Sequence, residues 1–235
     1  MLSGMQRNRL LLLAAAAAVA VVVVVVVVVV ASGGSDSSSA TTTEPTAAGE
    51  TPTSLFAGIP QQGELLGKAG APATLLVFED PQCPFCREFN LNVLPSVVTD
   101  FVRTGRVKLA FRGINILGPN SDVGLRAIYA AGLQNRLWPM AEELYRRQGG
   151  ENTGWITDGV VREAAAAAGA KPDAVLAAMP KQTARLAAAE RESNQLGLRG
   201  TPSFYVQRPP GLPQQVQVTS LEPAAFSAAL AAALQ

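Results

Sequence analysis

Two cysteines, the only ones in 235 residues, stand three apart in Cys83-Pro84-Phe85-Cys86. They follow closely on a short run that is apolar from Leu75 to Phe78. Such a run reads as a buried strand. Beyond the cysteines, Phe89, Val93, Leu94, Val97, Val98 and Phe101 recur at helical spacing. Gly105 closes that segment, and Pro95 is expected to kink it. Residues 107–111 alternate as a second strand, so residues 74–111 predict a βαβ unit with a parallel pair. A C-x-x-C at such a strand-to-helix junction points to thiol–disulfide chemistry.

The local geometry divides labour between the two sulfurs. Pro84 suits the first position of a helix, which leaves Cys83 just before it. Unpaired backbone N–H groups and the positive end of the helix dipole then favour a Cys83 thiolate. Cys83 is expected to be the exposed, attacking sulfur and Cys86, one turn on, the inward, resolving one. Arg87 either adds positive charge beside the pair or faces solvent. A purely structural Cys83–Cys86 bridge would close too small a loop to stabilise much. A redox-active disulfide is the better use of the pair.

Composition removes competing chemistries. The chain has no histidine, which excludes Ser-His-Asp and Cys-His nucleophile systems and every histidine metal site. Two cysteines cannot complete a zinc site, so no metal and no cofactor beyond the Cys83–Cys86 pair is expected. Lys and Arg number 19 against 18 acids, a balance without the basic footprint of a nucleic-acid binder.

The N-terminal quarter is of another character. Residues 1–9 are short and basic, and residues 10–31 are 22 consecutive apolar residues ending in ten valines followed by Ala31. As a helix, that run would span roughly 33 Å, about the hydrocarbon thickness of a bilayer. It exceeds the ~7–15 residues of a signal-peptide apolar region. A single-pass anchor is therefore expected, with a cleaved signal peptide ending at Val29-Val30-Ala31 as the alternative. Arg7 and Arg9 precede the run, whereas only Asp36, Glu44 and Glu50 follow it for some distance, which keeps residues 1–9 in the cytoplasm. Either reading exports the cysteines to a compartment where disulfides persist. Residues 32–55, rich in Ser, Thr, Ala and Gly, are expected to be a disordered linker.

Residues 56–235 are expected to fold as one α/β domain. After the second strand, alanine-rich helical segments cover residues 122–133, 137–148, 157–169 (Thr157 as N-cap), a short one opening at Pro172, and 182–196. Trp138, Tyr145 and Trp155 are expected to be packing residues of this helical cap. A strand at 203–206, a Pro/Gly turn, a hairpin partner at 216–218 and a terminal helix capped by Ser220 complete the chain.

Two motifs in this order resemble one family. Val77-Phe78-Glu79-Asp80-Pro81-Gln82-Cys83-Pro84-Phe85-Cys86-Arg87-Glu88-Phe89, then Gly200-Thr201-Pro202-Ser203-Phe204, look like the DsbA-like branch of the thioredoxin superfamily. The likeness covers residues 56–235, with a helical insertion at about 115–197. Glu151-Asn152-Thr153-Gly154-Trp155 is similar to a stretch of its membrane-anchored bacterial members. The resemblance implies a thioredoxin-like fold and a cis Thr201–Pro202 bond that offers backbone to a substrate chain beside the cysteines. Cys83 and Cys86 are then the catalytic residues, with Pro84, Phe85, Thr201 and Pro202 supporting the site and the substrate. The chain departs from the family pattern twice. Phe85 stands where DsbA has histidine, and Val77 stands where many members bury an acid. Glu79, two residues on, is either a proton-transfer group for Cys86 or a solvated strand end, and Asp80 is a turn residue.

The implied activity is thiol:disulfide exchange with exported cysteine-containing proteins. The implied protein is a membrane-tethered, monomeric oxidase that passes electrons to a membrane redox partner the sequence does not identify. A reductase or isomerase, and a non-enzymatic thioredoxin-like binding module, are the alternatives.

Overall fold

The computed structural model describes residues 55–235. The expected cytoplasmic segment, the membrane anchor and all but the last residue of the expected linker lie outside the described residues. Among those described, no helix is long and apolar enough to cross a membrane.

The predicted βαβ unit forms the centre. Strand β3 (Ala73–Glu79) pairs in parallel with β4 (Val107–Gly113), with Leu75 opposite Leu109 and Val77 opposite Phe111. Ahead of it, the short strands β1 (Gln61–Gln62) and β2 (Leu65–Leu66) add an antiparallel edge to β4. On the other side, β5 (Ser203–Gln207) runs antiparallel to β3 and carries β6 (Gln214–Gln215). The six-stranded order is β1-β2-β4-β3-β5-β6, which leaves β3 in the interior of the sheet with a neighbour on each edge.

Both faces of β3 are covered, which is why its apolar run is continuous rather than alternating. Leu75 and Val77 belong to the main core, with Phe89, Val93, Val97, Phe204 and Phe226. Leu76 and Phe78 pack with Ala110, Tyr205 and Ala189 in a smaller cluster.

The helix after the cysteines is one run with two changes of pitch. It passes from α1 (Pro84–Glu88) through a π-helical turn, Phe89–Val93, to α2 (Leu94–Val97) and a second π-helical turn, Val98–Val102. Pro95 lies between the two turns; having no N–H, it cannot sustain the regular bonding of the turn before it.

The helical insertion contains α3 (Pro119–Gly132), α4 (Leu137–Arg146), α5 (Asp158–Ala167), α6 (Pro172–Ala178) and, after a 3₁₀ turn, α7 (Thr183–Gln195). The Thr157 hydroxyl accepts the Val160 N–H, so the predicted N-cap is formed. Gly124 lets α3 approach the loop after β3. A Cβ there would lie 2.8 Å from Pro81 Cγ and from Ile156 Cδ1.

Two expectations near the C-terminus are corrected. The partner of β5 is Gln214–Gln215 rather than residues 216–218. Val216 turns inward to the core, 3% exposed, and the ladder ends there with one more bond, from its N–H to the Phe204 carbonyl. Helix α8 (Pro223–Ala233) begins with Glu222 as its N-cap rather than Ser220. The Ser220 hydroxyl accepts the Glu222 N–H and so shapes the turn before the helix.

Candidate active site

Strand β3 delivers its last residue, Glu79, under the start of α1, and the chain then turns through Asp80-Pro81-Gln82. Asp80 is the anchor of that turn. Fully buried, it accepts the Gln82 N–H (2.8 Å), the Ser121 hydroxyl (2.6 Å) and the Ile116 and Leu117 N–H groups (2.8 and 3.0 Å). Four donors compensate the burial of one carboxylate. The Asp80 carbonyl accepts the Cys83 N–H at 3.0 Å.

The insertion grips this turn almost residue by residue. The Tyr145 hydroxyl lies 3.3 Å from Glu79 Oε2 and donates to the Asp80 carbonyl at 3.2 Å. Gln148 Nε2 donates to the carbonyls of Pro81 and Cys83, at 2.8 and 3.0 Å. Gln82 Nε2 donates to the Ser121 hydroxyl at 2.9 Å, and its Oε1 accepts the Asn152 N–H at 2.7 Å. Arg87 lies on the exposed side and donates to the Tyr145 carbonyl at 3.1 Å. Tyr145, expected to be packing alone, thus also bonds to the site. Trp138 is buried in the core, and Trp155 is half-buried against it.

Cys83 is the N-cap of α1, with Pro84 at the first helical position. Both cysteines are free thiols in this structure. Cys83 donates through Sγ to the Thr201 carbonyl at 3.2 Å, and the Thr201–Pro202 bond is cis. The expectation of an exposed Cys83 is corrected: only 5% of the residue is exposed. The loop carrying Thr201 closes over it, a contact 118 residues distant in sequence. Phe85 is the solvent-facing member of the motif, 65% exposed.

The two sulfurs are held in opposite electrostatic settings. The Cys83 thiol is drawn down to about 6. Its largest cause is the hydrogen bond with Cys86, helped by the Thr201 side chain and the backbone N–H groups of Cys86 and Phe85, against the opposing effect of burial. Cys86 is fully buried and goes the other way. Burial pushes it well up, and the hydrogen bond with Cys83 and the charges of Glu79 and Cys83 add to the rise.

Glu79 is no solvated strand end. It is fully buried, and burial raises its carboxyl to about 8, partly offset by the Asn90 and Tyr145 hydrogen bonds. Asn90 Nδ2 donates to Glu79 Oε1 at 2.6 Å and to the Cys86 carbonyl at 2.9 Å. The π-helical turn begins directly behind the motif and carries Asn90 in its first half, buried beside the acid. The site therefore holds an acid behind Cys86, although the position where many family members bury one is Val77.

Sequence reasoning missed Asn90, Tyr145 and Gln148 as members of the site. Only Asn152 carried a signal, through the likeness of residues 151–155 to membrane-anchored relatives. Phe85 also lines a groove of about 530 Å³, together with Thr201, Pro202, Ser203 and residues 215–222. Among the described residues, no group of three His, Cys, Asp or Glu side chains is placed to hold a metal.

Comparison with known proteins follows the same lines. A family model described as Thioredoxin matches residues 61–210. Disulfide bond formation protein D of Bacillus subtilis is 29% identical over 147 residues, which is 60% of this chain and 66% of that relative. The crystal structure of oxidised BdbD from Bacillus subtilis superposes with a TM-score of 0.63 at 22% identity, covering 75% of this chain and 97% of that one, a likeness of fold. A thioredoxin-like oxidoreductase from Silicibacter pomeroyi is 28% identical with a TM-score of 0.55, over 76% of this chain and 95% of that one.

Proposed function

Because the chain belongs to the thioredoxin family, we propose that its Cys83–Cys86 pair makes it a thiol:disulfide oxidoreductase that oxidises exported cysteine-containing proteins. The observation that carries this reading is the opposed protonation of the two sulfurs, Cys83 drawn down to about 6 and Cys86 pushed up.

The chemistry follows from that asymmetry. A substrate thiolate attacks Cys83 Sγ of the oxidised pair; the Cys83–Cys86 bond breaks and Cys86 departs as a thiolate. Its raised proton affinity makes it a strong base, and the Glu79 carboxyl, protonated at neutral pH, supplies the proton. The second substrate thiol, deprotonated, then attacks the substrate sulfur of the mixed disulfide and displaces Cys83. Cys83 leaves readily because its thiolate is stable. Two electrons pass from the substrate dithiol to the pair. One proton is retained on Cys86 after Glu79 recovers its own from solvent, and the other is released.

The direction of transfer follows from the stability of the reduced state. Thioredoxin's attacking thiol sits at about 7 and that of DsbA at about 3.5. Cys83 at about 6 likewise lies below the free-cysteine value of about 8.5, which stabilises the reduced pair and favours oxidation of the substrate. A measured reduction potential near the thioredoxin value of about −270 mV would count against the oxidase. The Phe85 side chain brings no charge or donor to the sulfur, but the Cys86 hydrogen bond, the Thr201 side chain and the backbone N–H groups of Cys86 and Phe85 take over part of that work.

The remaining parts of the reading are architectural. Residues 10–31 anchor the chain, 1–9 stay in the cytoplasm, and 32–55 link the anchor to an extracytoplasmic domain of residues 56–235. A membrane redox partner that the sequence does not identify reoxidises the pair. In support, the apolar run is 22 residues long, with Arg7 and Arg9 just before it and no Lys or Arg in residues 32–67.

One experiment tests the reaction and another the location. A Cys86→Ser variant should accumulate mixed disulfides linked through Cys83 in its own host; their absence would remove the enzymatic reading. A thiol reagent unable to cross membranes should label reduced Cys83 in intact cells, and labelling only after lysis would refute the topology.

A further inference from the structure

Two hollows meet at the Thr201–Pro202 loop, and their charges have opposite signs. The groove of about 530 Å³ is walled by Phe85 and Glu88, by Thr201, Pro202 and Ser203, and by residues 215–222. Its only charged wall residues are two acids, Glu88 and Glu222. A second hollow of about 410 Å³ shares Thr201, Pro202, Ser203 and Gln215, then diverges along residues 196–200. Its only charged wall residue is Arg199. All three charged residues are exposed.

A polypeptide bonded to Cys83 through its own cysteine must lie across the shared residues, because Cys83 Sγ touches Thr201. An extended chain advances about 3.3 Å per residue, so residues two or three from the cysteine reach ~7–10 Å to either side. The flank on one side then enters the acidic groove, past the exposed Phe85 ring, while the flank on the other side meets Arg199. We infer that this surface reads the charge order of its substrate, favouring extended polypeptides with basic residues on one side of the reacting cysteine and acidic residues on the other. This deepens the proposed function and rests on it.

Charge complementarity of this kind acts on encounter rate and register. Each exposed pair contributes only up to about five-fold, and two or three acting together should give a charge-order preference of about five-fold at low salt. Screening removes most of it once the Debye length falls to ~3 Å, near 1 M salt.

The test uses two reduced dithiol peptides of one composition. One carries two lysines before the first cysteine and two glutamates after it, and the other has the reverse order. Oxidised protein should convert one about five-fold faster than the other, as kcat/KM at about 10 mM salt. That ratio should approach one at about 1 M salt, and should fall in a Glu88→Gln/Glu222→Gln variant and in Arg199→Gln. Equal rates for the two peptides at low salt would overturn the inference and leave the oxidase reading intact. A preference unchanged in both variants would overturn the assignment to these residues. Failure to oxidise either peptide would instead overturn the oxidase reading itself.

Discussion

The two sides of the cysteine pair are built by different parts of the chain. In front, Cys83 meets the Thr201 loop, the exposed Phe85 ring and a groove open to solvent. Behind, Cys86 meets Glu79, Asn90 and Tyr145, with no exposure at all. The hydrogen bond with Cys86 and the donors of the front side favour a charged Cys83; the back side excludes water and favours neutral groups. Two identical side chains three residues apart thus acquire opposite proton affinities, which assigns one as leaving group and the other as proton acceptor.

The largest test of the contrast is to remove either sulfur. Cys83→Ala should abolish exchange with dithiol peptides, whereas the Cys83 thiolate of Cys86→Ser should still attack a disulfide-bonded peptide, release one peptide thiolate and stall as a mixed disulfide, as seen on a non-reducing gel. Equivalent behaviour of the two variants would erase the distinction between front and back.

Next comes the buried acid. Glu79→Gln keeps the volume and the Asn90 bond but removes the proton. Reduction of the disulfide by substrate should slow about 10²-fold, and the inflection near pH 8 should vanish from the pH–rate profile. The same variant sharpens the energetics. Glu79 binds its proton more tightly folded than unfolded, so stability falls as pH rises from about 4.5 to about 8. The penalty reaches on the order of 4 kcal/mol above pH 8. Glu79→Gln should therefore be more stable than the parent at pH 8 by urea denaturation, and the gain should shrink toward pH 4.

Smaller effects come from single hydrogen bonds. Tyr145→Phe removes the hydroxyl that lies against Glu79 and donates to the Asp80 carbonyl, and should cost about 1 kcal/mol of stability while moving the Glu79 inflection upward. Thr201→Val leaves the backbone carbonyl but removes the side-chain donor from the front. The Cys83 midpoint should rise by less than about one pH unit, read from alkylation rates.

The same division marks what the sequence could reveal. The central strands were legible because a strand covered on both faces reads as a continuous apolar run, and Pro84, Thr157 and Pro172 announce their helix starts by their own chemistry. The front of the site was legible because both of its motifs are short and contiguous. The back was not. Glu79 at a strand end has the composition of a solvated residue; what buries it lies 11 residues away at Asn90 and 66 away at Tyr145. The resemblance placed the Thr201–Pro202 loop, 118 residues on, beside the cysteines, but not how fully it covers Cys83. At β6, Val216-Gln217-Val218 alternates like a strand, yet the inward Val216 ends the ladder.

The fold drives the two proton affinities apart, and thiolate titration of the reduced protein reads that separation at each sulfur. Thiolate absorbance, with alkylation assigned to each cysteine by mass spectrometry, should show Cys83 ionising with a midpoint at about 6. Cys86 should remain an unreactive thiol beyond pH 9.0. A single midpoint shared by both sulfurs, or a Cys83 midpoint at the free-cysteine value of about 8.5, would contradict the account.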